Sequence, residues 1–231
     1  MFDRIKKSLT RSAHAGRVAE AVPSRLTEGP VSEWAATQGL VFSAEEGGMV
    51  TLEGRVQGKR WRMERGRPTR EYIVGEELRA RAQLELGDDI AVMVMNRSLS
   101  DRLEHQAYVR SVDHVETGID GSLPPEVRWL ALYQDTVWTS LPEPFWNRYS
   151  VHTDRPDMAQ RWIDQHLAGL LLQWPQPGPS NDVPFTLLLM QGKAYLRMEY
   201  RPADLPILQH AALIFTSACE SAVRSSIDLA L

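Results

Sequence analysis

Alternation of apolar and polar positions is clearest between positions 72 and 86. Leu78, Ala80, Ala82, Leu84 and Leu86 fall on one side, and Glu77, Arg79, Arg81, Gln83 and Glu85 fall on the other. Successive side chains of an extended chain point to opposite faces, so the stretch predicts a strand with one face in the core and one in water. Positions 90–95 form a continuous apolar run, fit for a central strand. Upstream, 40–44, 49–56 and 59–65 read as strands, the last two joined across Gln57-Gly58. Downstream, 148–153 alternates again. Residues 184–201 then read as a hairpin about Gln191-Gly192-Lys193, with Leu187 and Leu189, or alternatively Leu188 and Met190, facing the last helix.

Elsewhere the apolar spacing switches to three and four. Trp34 and Ala36 mark a short helix from Ser32 to Gly39, and Leu103, Ala107 and Val109 mark one capped by Ser98 or Ser100. Val127, Leu130, Ala131 and Trp138 follow Pro125 in a third. Met158, Trp162, Ile163 and Leu167 give a fourth, capped by Asp154. The longest pattern, 203–226, carries Leu205, Leu208, Ala212, Phe215, Cys219 and Ala222 on one stripe. At the other end, Phe2, Ile5 and Leu9 share a face among Arg4, Lys6, Lys7 and Arg11, predicting a basic amphipathic helix over 1–22.

This order of elements predicts an α+β fold in which antiparallel sheet is packed by helices. The chain divides into a basic helix and linker (1–29), a first half (30–141) and a second half (145–231), separated by Leu141-Pro142-Glu143-Pro144. One large domain is the alternative. The halves could be related α/β lobes, because Gln57-Gly58-Lys59 followed by Arg62-Met63-Glu64 is echoed by Gln191-Gly192-Lys193 and Arg197-Met198-Glu199. The echo slips by one residue, which in a strand exchanges the two faces.

With 231 residues, 43% hydrophobic and 24% charged, the chain can bury a sizeable core without staples. Thirty acidic and 26 basic side chains leave a formal charge of -4, which provides no global field for nucleic acid or anionic lipid. Cys219 is the single cysteine, so an intramolecular disulfide and a cysteine-based zinc site are excluded, and a reducing cytoplasm is the expected compartment. No run of about 18 uncharged apolar residues occurs, and the basic N-terminus lacks the apolar core of a secretory signal.

Arg148-Tyr149-Ser150-Val151-His152-Thr153-Asp154-Arg155-Pro156-Asp157-Met158-Ala159, followed by a helix, a loop and a strand pair, resembles a pattern in bacterial proteins of unknown function. A segment like 52–64, with Gly54 and Gly58 about a hairpin, precedes it in those proteins too. The resemblance spans most of 40–201 and brings no catalytic residue. Many members carry transmembrane helices ahead of the shared region.

Candidate chemistry is sparse. His152 and Asp154 share a strand face and could meet His166 at a metal or hydrolytic site, although Asp154 as a helix cap and His152 as a strand residue is the simpler account. Glu64 and Glu199, equivalent if the halves are related, could act as paired carboxylates; flanked by Arg62, Arg65, Arg197 and Arg201, they also suit surface ion pairs. Neither a dinucleotide fingerprint nor a P-loop is present, so no cofactor is expected. Cys219 lies on an apolar stripe, where a thiol packs as a small hydrophobe. Between Arg55 and Arg81 nine basic residues accompany four glutamates; this reads as a solvated sheet face rather than a nucleic-acid surface. Trp146 and Trp174 stand among prolines and could line an interface or pocket.

The expected function is therefore a non-catalytic protein-interaction or ligand-binding module, with self-association through the last helix as one form of it. A hydrolase using the His/Asp or paired-Glu residues is one alternative. Peripheral membrane attachment through Phe2 and Ile5 is the other.

Overall fold

The computed structural model describes residues 28–45, 48–87, 90–113 and 125–227. Phe2, Ile5 and the basic helix expected over 1–22 lie outside them. Eight strands form one antiparallel sheet: β1 (Val41–Ala44), β2 (Val50–Val56), β3 (Lys59–Gly66), β4 (Glu77–Gln83), β5 (Ala91–Asn96), β6 (Tyr149–Thr153), β7 (Phe185–Met190) and β8 (Lys193–Glu199). Their order across the sheet is β1-β2-β3-β4-β8-β7-β5-β6. The fold is α+β, and strands from 30–141 and 145–231 share that sheet, with β4 paired to β8 and β5 to β7.

Seven helices accompany it among the described residues: α1 (Glu28–Thr37), α2 (Arg97–Asp113), α3 (Pro125–Leu132), α4 (Glu143–Arg148), α5 (Pro156–Trp162), α6 (Gln165–Leu172) and α7 (Leu205–Ile227). The alternation of each strand sorts them into two layers. Val92, Val94, Leu187, Leu189, Ala194, Leu196 and Met198 face α7 and its neighbours in the main core. Met93, Met95, Leu188 and Met190 face the other way, in a smaller cluster with α2 and α3. Phe215 meets Trp61 edge to face at 6.2 Å, and both rings are buried. Trp162 of α5 donates from Nε1 to the Ala218 carbonyl at 2.9 Å, while Ser221 returns a bond to the Trp162 carbonyl at 2.7 Å. Burying side chains of this size stabilises by about 1.5–3 kcal/mol each. The apolar stripe of α7 is thus buried within the chain, with Leu213 exposed beside it.

Several boundaries depart from the sequence pattern for local reasons. The break at Leu141 to Pro144 is the entry to α4, which starts with proline in its first turn. The single helix expected from Met158 to Leu167 is two, because the Asp164 carboxylate accepts the Leu167 N–H at 2.8 Å and caps a new helix there. Asp154 caps nothing; the Thr153 hydroxyl takes the Arg155 N–H at 2.9 Å instead. The α2 helix begins at Arg97, ahead of the expected serine caps, and α3 ends at Leu132, short of Trp138.

Both echoed hairpins turn in two residues with positive φ at each: Gln57 47° and Gly58 80°, Gln191 50° and Gly192 69°. This is the type I′ geometry that suits the twist of paired strands. The hairpins enter the sheet in opposite lateral order, β2-β3 against β8-β7. Equivalent positions after the turn therefore face opposite sides, and the one-residue slip returns Arg62 and Arg197 to the same face.

A Cβ at Gly192 would lie 2.7 Å from the Leu86 carbonyl oxygen, whereas one at Gly58 would meet nothing within 4 Å. Gly58→Ala should cost about 1 kcal/mol through positive φ alone. Gly192→Ala should cost about 2–3 kcal/mol, since a clash adds to the same strain. Urea unfolding measures both, and equal losses would show that the approach to Leu86 is without consequence.

Candidate binding cleft

The helices leave part of one sheet face uncovered. α2 and α3 lie over the β5–β6 end, so β3, β4, β8 and β7 form the floor of a cleft of about 430 Å³. Register fixes what stands on it. One row runs Arg62, Arg81, Tyr195, Leu188, Met93 from β3 to β5, and the next runs Glu64, Arg79, Arg197, Thr186. At strand spacings of 4.7–4.9 Å, the first row extends over roughly 19 Å. Charge gathers on β3 and β4, Tyr195 stands in the middle, and β7 and β5 contribute only apolar groups to that row. Trp129 and Glu126 of α3 form a wall, and Arg70, from the loop between β3 and β4, lines the end at which it holds Glu126.

A buried carboxylate organises that end. Glu77 begins the polar face of β4 yet is 0% exposed, against the expectation of a wet face. It accepts the Thr69 N–H at 2.6 Å and is paired with the Arg197 guanidinium. Beside it in register, Glu199 is 4% exposed, accepts the Val74 N–H at 2.8 Å and is paired with Arg201 at 3.1 Å. The two carboxylates pin the loop from both sides and so place Arg70, whose Nε donates to Glu126 at 2.9 and 3.0 Å. Burial acts to lower the Arg70 pKa, but the Glu126 carboxylate outweighs it and holds the guanidinium above its ordinary value. The Tyr72 phenol is pushed well up, first by burial and then by Glu126.

Five arginines line the cleft: Arg62, Arg70, Arg79, Arg81 and Arg197. Glu64 takes Arg62 at 2.7 Å and Arg79 at 2.9 Å. Arg197 is held by Glu77 and lies 3.9 Å from Glu126. Arg81 is exposed and forms no ion pair among the described residues. Arg62 stands directly across from Arg81, and Arg79 across from Arg197. Like charges in that position are destabilising. The floor therefore holds a local excess of positive charge in a chain that is acidic overall.

The candidate residues from the sequence are not assembled. Glu64 and Glu199 stand on β3 and β8 with β4 between them, and the carboxylate next to Glu199 is Glu77. His166 and Asp154 are exposed on α6 and beyond β6, whereas His152 is buried under α2. Its Nδ1 lies 3.4 Å from the Tyr133 carbonyl, and its Nε2 lies 3.2 and 3.1 Å from the hydroxyls of Ser100 and Ser150. A serine beside a histidine is the start of a nucleophile–base pair. These three residues are 2% exposed or less, and none lines the cleft. No group of three metal-ligating side chains occurs among the described residues. Trp174 is buried, with Nε1 3.3 Å from the Tyr149 hydroxyl, and Trp146 packs edge-on against Trp138 at 4.8 Å. Burial pushes the Cys219 thiol far up, in keeping with an inert side chain.

The cleft residues Arg197, Glu126 and Trp129 had no place among the sequence candidates. The signal that pointed to the site was the run of arginines on the polar face of β4, within the most basic segment of the chain.

Fold and site together define an α+β protein with an eight-stranded antiparallel sheet and a charged, half-covered cleft. No protein-family model matches the chain, and no curated protein matches it. Among solved structures, the crystal structure of the mycobacterial trehalose monomycolate transport factor A, TtfA, is similar with a TM-score of 0.42 and 10% identity. The match covers 84% of this chain and 94% of that one. It brings no residue assignment. Among the described residues no helix is long and apolar enough to cross a membrane.

Replacing Arg81 with Glu turns the repulsion with Arg62 into attraction, so Arg81→Glu should raise the unfolding free energy by about 0.5 kcal/mol in low salt. The gain should shrink in 1 M salt; urea unfolding at both ionic strengths checks it, and a loss of stability would contradict the charge balance drawn for the floor. A second outcome concerns pH. Burial lowers the His152 pKa below its ordinary 6.5, opposed by Asp135 and the Tyr133 carbonyl, and burial lowers that of His210 against the Leu170 carbonyl. The folded chain then binds fewer protons than the unfolded chain, so stability falls as pH drops below about 6.5, until the folded pKa values are passed. His152→Gln should lose less stability than the wild type between pH 7.5 and 5.5, as read by urea unfolding.

Proposed function

We propose that the chain is a non-catalytic ligand-binding module whose working site is the cleft over β3, β4, β8 and β7. The observation that carries this reading is the cleft itself: about 430 Å³, framed by a regular sheet and a helix, with five arginines beside apolar groups of β7 and Trp129 of α3. Its volume is in the range of small-molecule sites, which combine apolar lining with a few placed polar groups. The charge excess selects anions. A binding role suits a lining in which arginine is the commonest side chain and in which, among the described residues, no serine, cysteine, histidine or lysine stands. A reducing cytoplasm is the compartment in keeping with the single, buried cysteine.

Thermal melting against a panel of carboxylates, phosphates, nucleotides and aromatic sulfonates tests the reading. At least one anion should raise the melting temperature, because a ligand at 100 times its Kd stabilises the folded state by about 2.7 kcal/mol. Leu188→Trp, which enlarges a half-buried side chain on the floor, should abolish the rise while the protein still melts cooperatively. If no compound in the panel shifts the transition, or if Leu188→Trp keeps the full shift, the cleft is not the site.

A further inference from the structure

We infer that the ligand is a single-chain amphiphile, an alkyl chain ending in a carboxylate or phosphate, bound as a monomer. This rests on the cleft being the binding site. Three observations carry it.

The floor is polarised along one line. Arg62 and Arg81 occupy its β3–β4 end and Leu188 and Met93 its β7–β5 end, with Tyr195 between them. The row extends over roughly 19 Å, so a ligand filling it must change from charged to apolar along its own length. A head without a tail would leave the open part of the half-buried Leu188 and Met190 in water. A nucleotide or sugar would set polar edges against them, a costly burial without partners.

The charged end is built for an anion. Among the described residues Arg81 has no ion pair, and the cross-strand repulsions Arg62–Arg81 and Arg79–Arg197 are only partly offset by Glu53, Glu64, Glu77 and Glu126. One anionic head placed over Arg81 and Arg79 would relieve both. Arginine forks match the planar oxygens of a carboxylate or a phosphate.

The apolar end is a recess. α3 stands over it with Trp129, so a hydrocarbon chain is enclosed on two sides. That shape suits one chain taken out of water and does not suit a flat bilayer surface.

Isothermal titration with dodecanoate, kept below its micelle threshold, is the direct experiment, with inorganic phosphate as the head alone and dodecanol as the tail alone. Dodecanoate should bind saturably at one per chain, and neither half-ligand should match it. Arg81→Glu and Met190→Asp should each weaken binding by about tenfold or more. Arg128→Glu, on the exposed side of α3, should bind as the wild type does. Arg81→Glu is expected to melt no lower than wild type, so its lost binding cannot be ascribed to unfolding. Dodecanol binding as tightly as dodecanoate, or phosphate doing so, would overturn the proposal. So would flotation with phosphatidylglycerol vesicles that depends on Arg81 and occurs without dodecanoate binding. If another anion of the melting panel binds and dodecanoate does not, the amphiphile is wrong and the cleft survives; if none binds, both fall.

Discussion

The contact between the buried Glu77 carboxylate and Arg197 is the constraint from which the rest of the site follows. A carboxylate removed from water is tolerated only when it is paired and hydrogen-bonded. Glu77 meets that demand with Arg197 from β8 and the Thr69 N–H from the loop between β3 and β4. The same contact therefore registers two strands, anchors a loop and fixes an arginine on the cleft floor. Glu199 repeats the device one strand over, holding the Val74 N–H. Because both ends of the loop are tied, Arg70 has a defined position from which to hold Glu126, and α3 is drawn toward the sheet. A structural ion pair thus sets the width of a binding site.

Covering helices explain why the two faces of the sheet differ. α7 is long enough to lie across the strands, and its stripe of small and large apolar groups closes one face against Leu187, Leu189, Leu196 and Met198. On the opposite face, α3 has only eight residues and reaches β5 and β7 with Val127 and Trp129. The strands beyond its reach must be solvated, and β3, β4 and β8 carry Arg, Glu and Tyr there. The cleft is the boundary between the covered and the solvated part. Its mixed chemistry follows from that position.

The sheet was legible because alternation reports which face is buried. It identified β4 as a strand with a core face and a polar face, and of the two alternatives it left open for β7, Leu187 and Leu189 face α7. Type I′ turns at Gln57-Gly58 and Gln191-Gly192 were legible for the same local reason, glycine at a position needing positive φ. Strand order was not, since β8 inserting between β4 and β7 depends on pairing across more than a hundred residues. The site was hidden for that cause. Arg197 and Glu126 are remote in sequence and become neighbours of Arg70 only through that pairing. Glu77 was misread because alternation reports the face of a residue but not whether a loop covers it. His152, Asp154 and His166 looked close because they are close in sequence; a strand, a bend and the start of a helix send them to separate surroundings.

A sheet optimised for stability alone would not oppose Arg62 to Arg81 and Arg79 to Arg197, because each such pair costs several tenths of a kcal/mol. Local rules are commonly broken at functional sites, where the penalty is offset elsewhere. Here the offset is incomplete within the protein. Glu64 serves Arg62 and Arg79, Glu53 also reaches Arg62, Glu77 and more distantly Glu126 serve Arg197, and among the described residues Arg81 is left over. Solvation alone would account for one exposed arginine at a sheet edge, but Arg81 stands on an interior strand, in a row that turns apolar two strands away. Residual charge beside a recess is a configuration that an anion stabilises and a neutral ligand does not. The coupling runs both ways: whatever ligand relieves the repulsion also stiffens the sheet, so occupancy and stability of this chain are linked through the same four arginines.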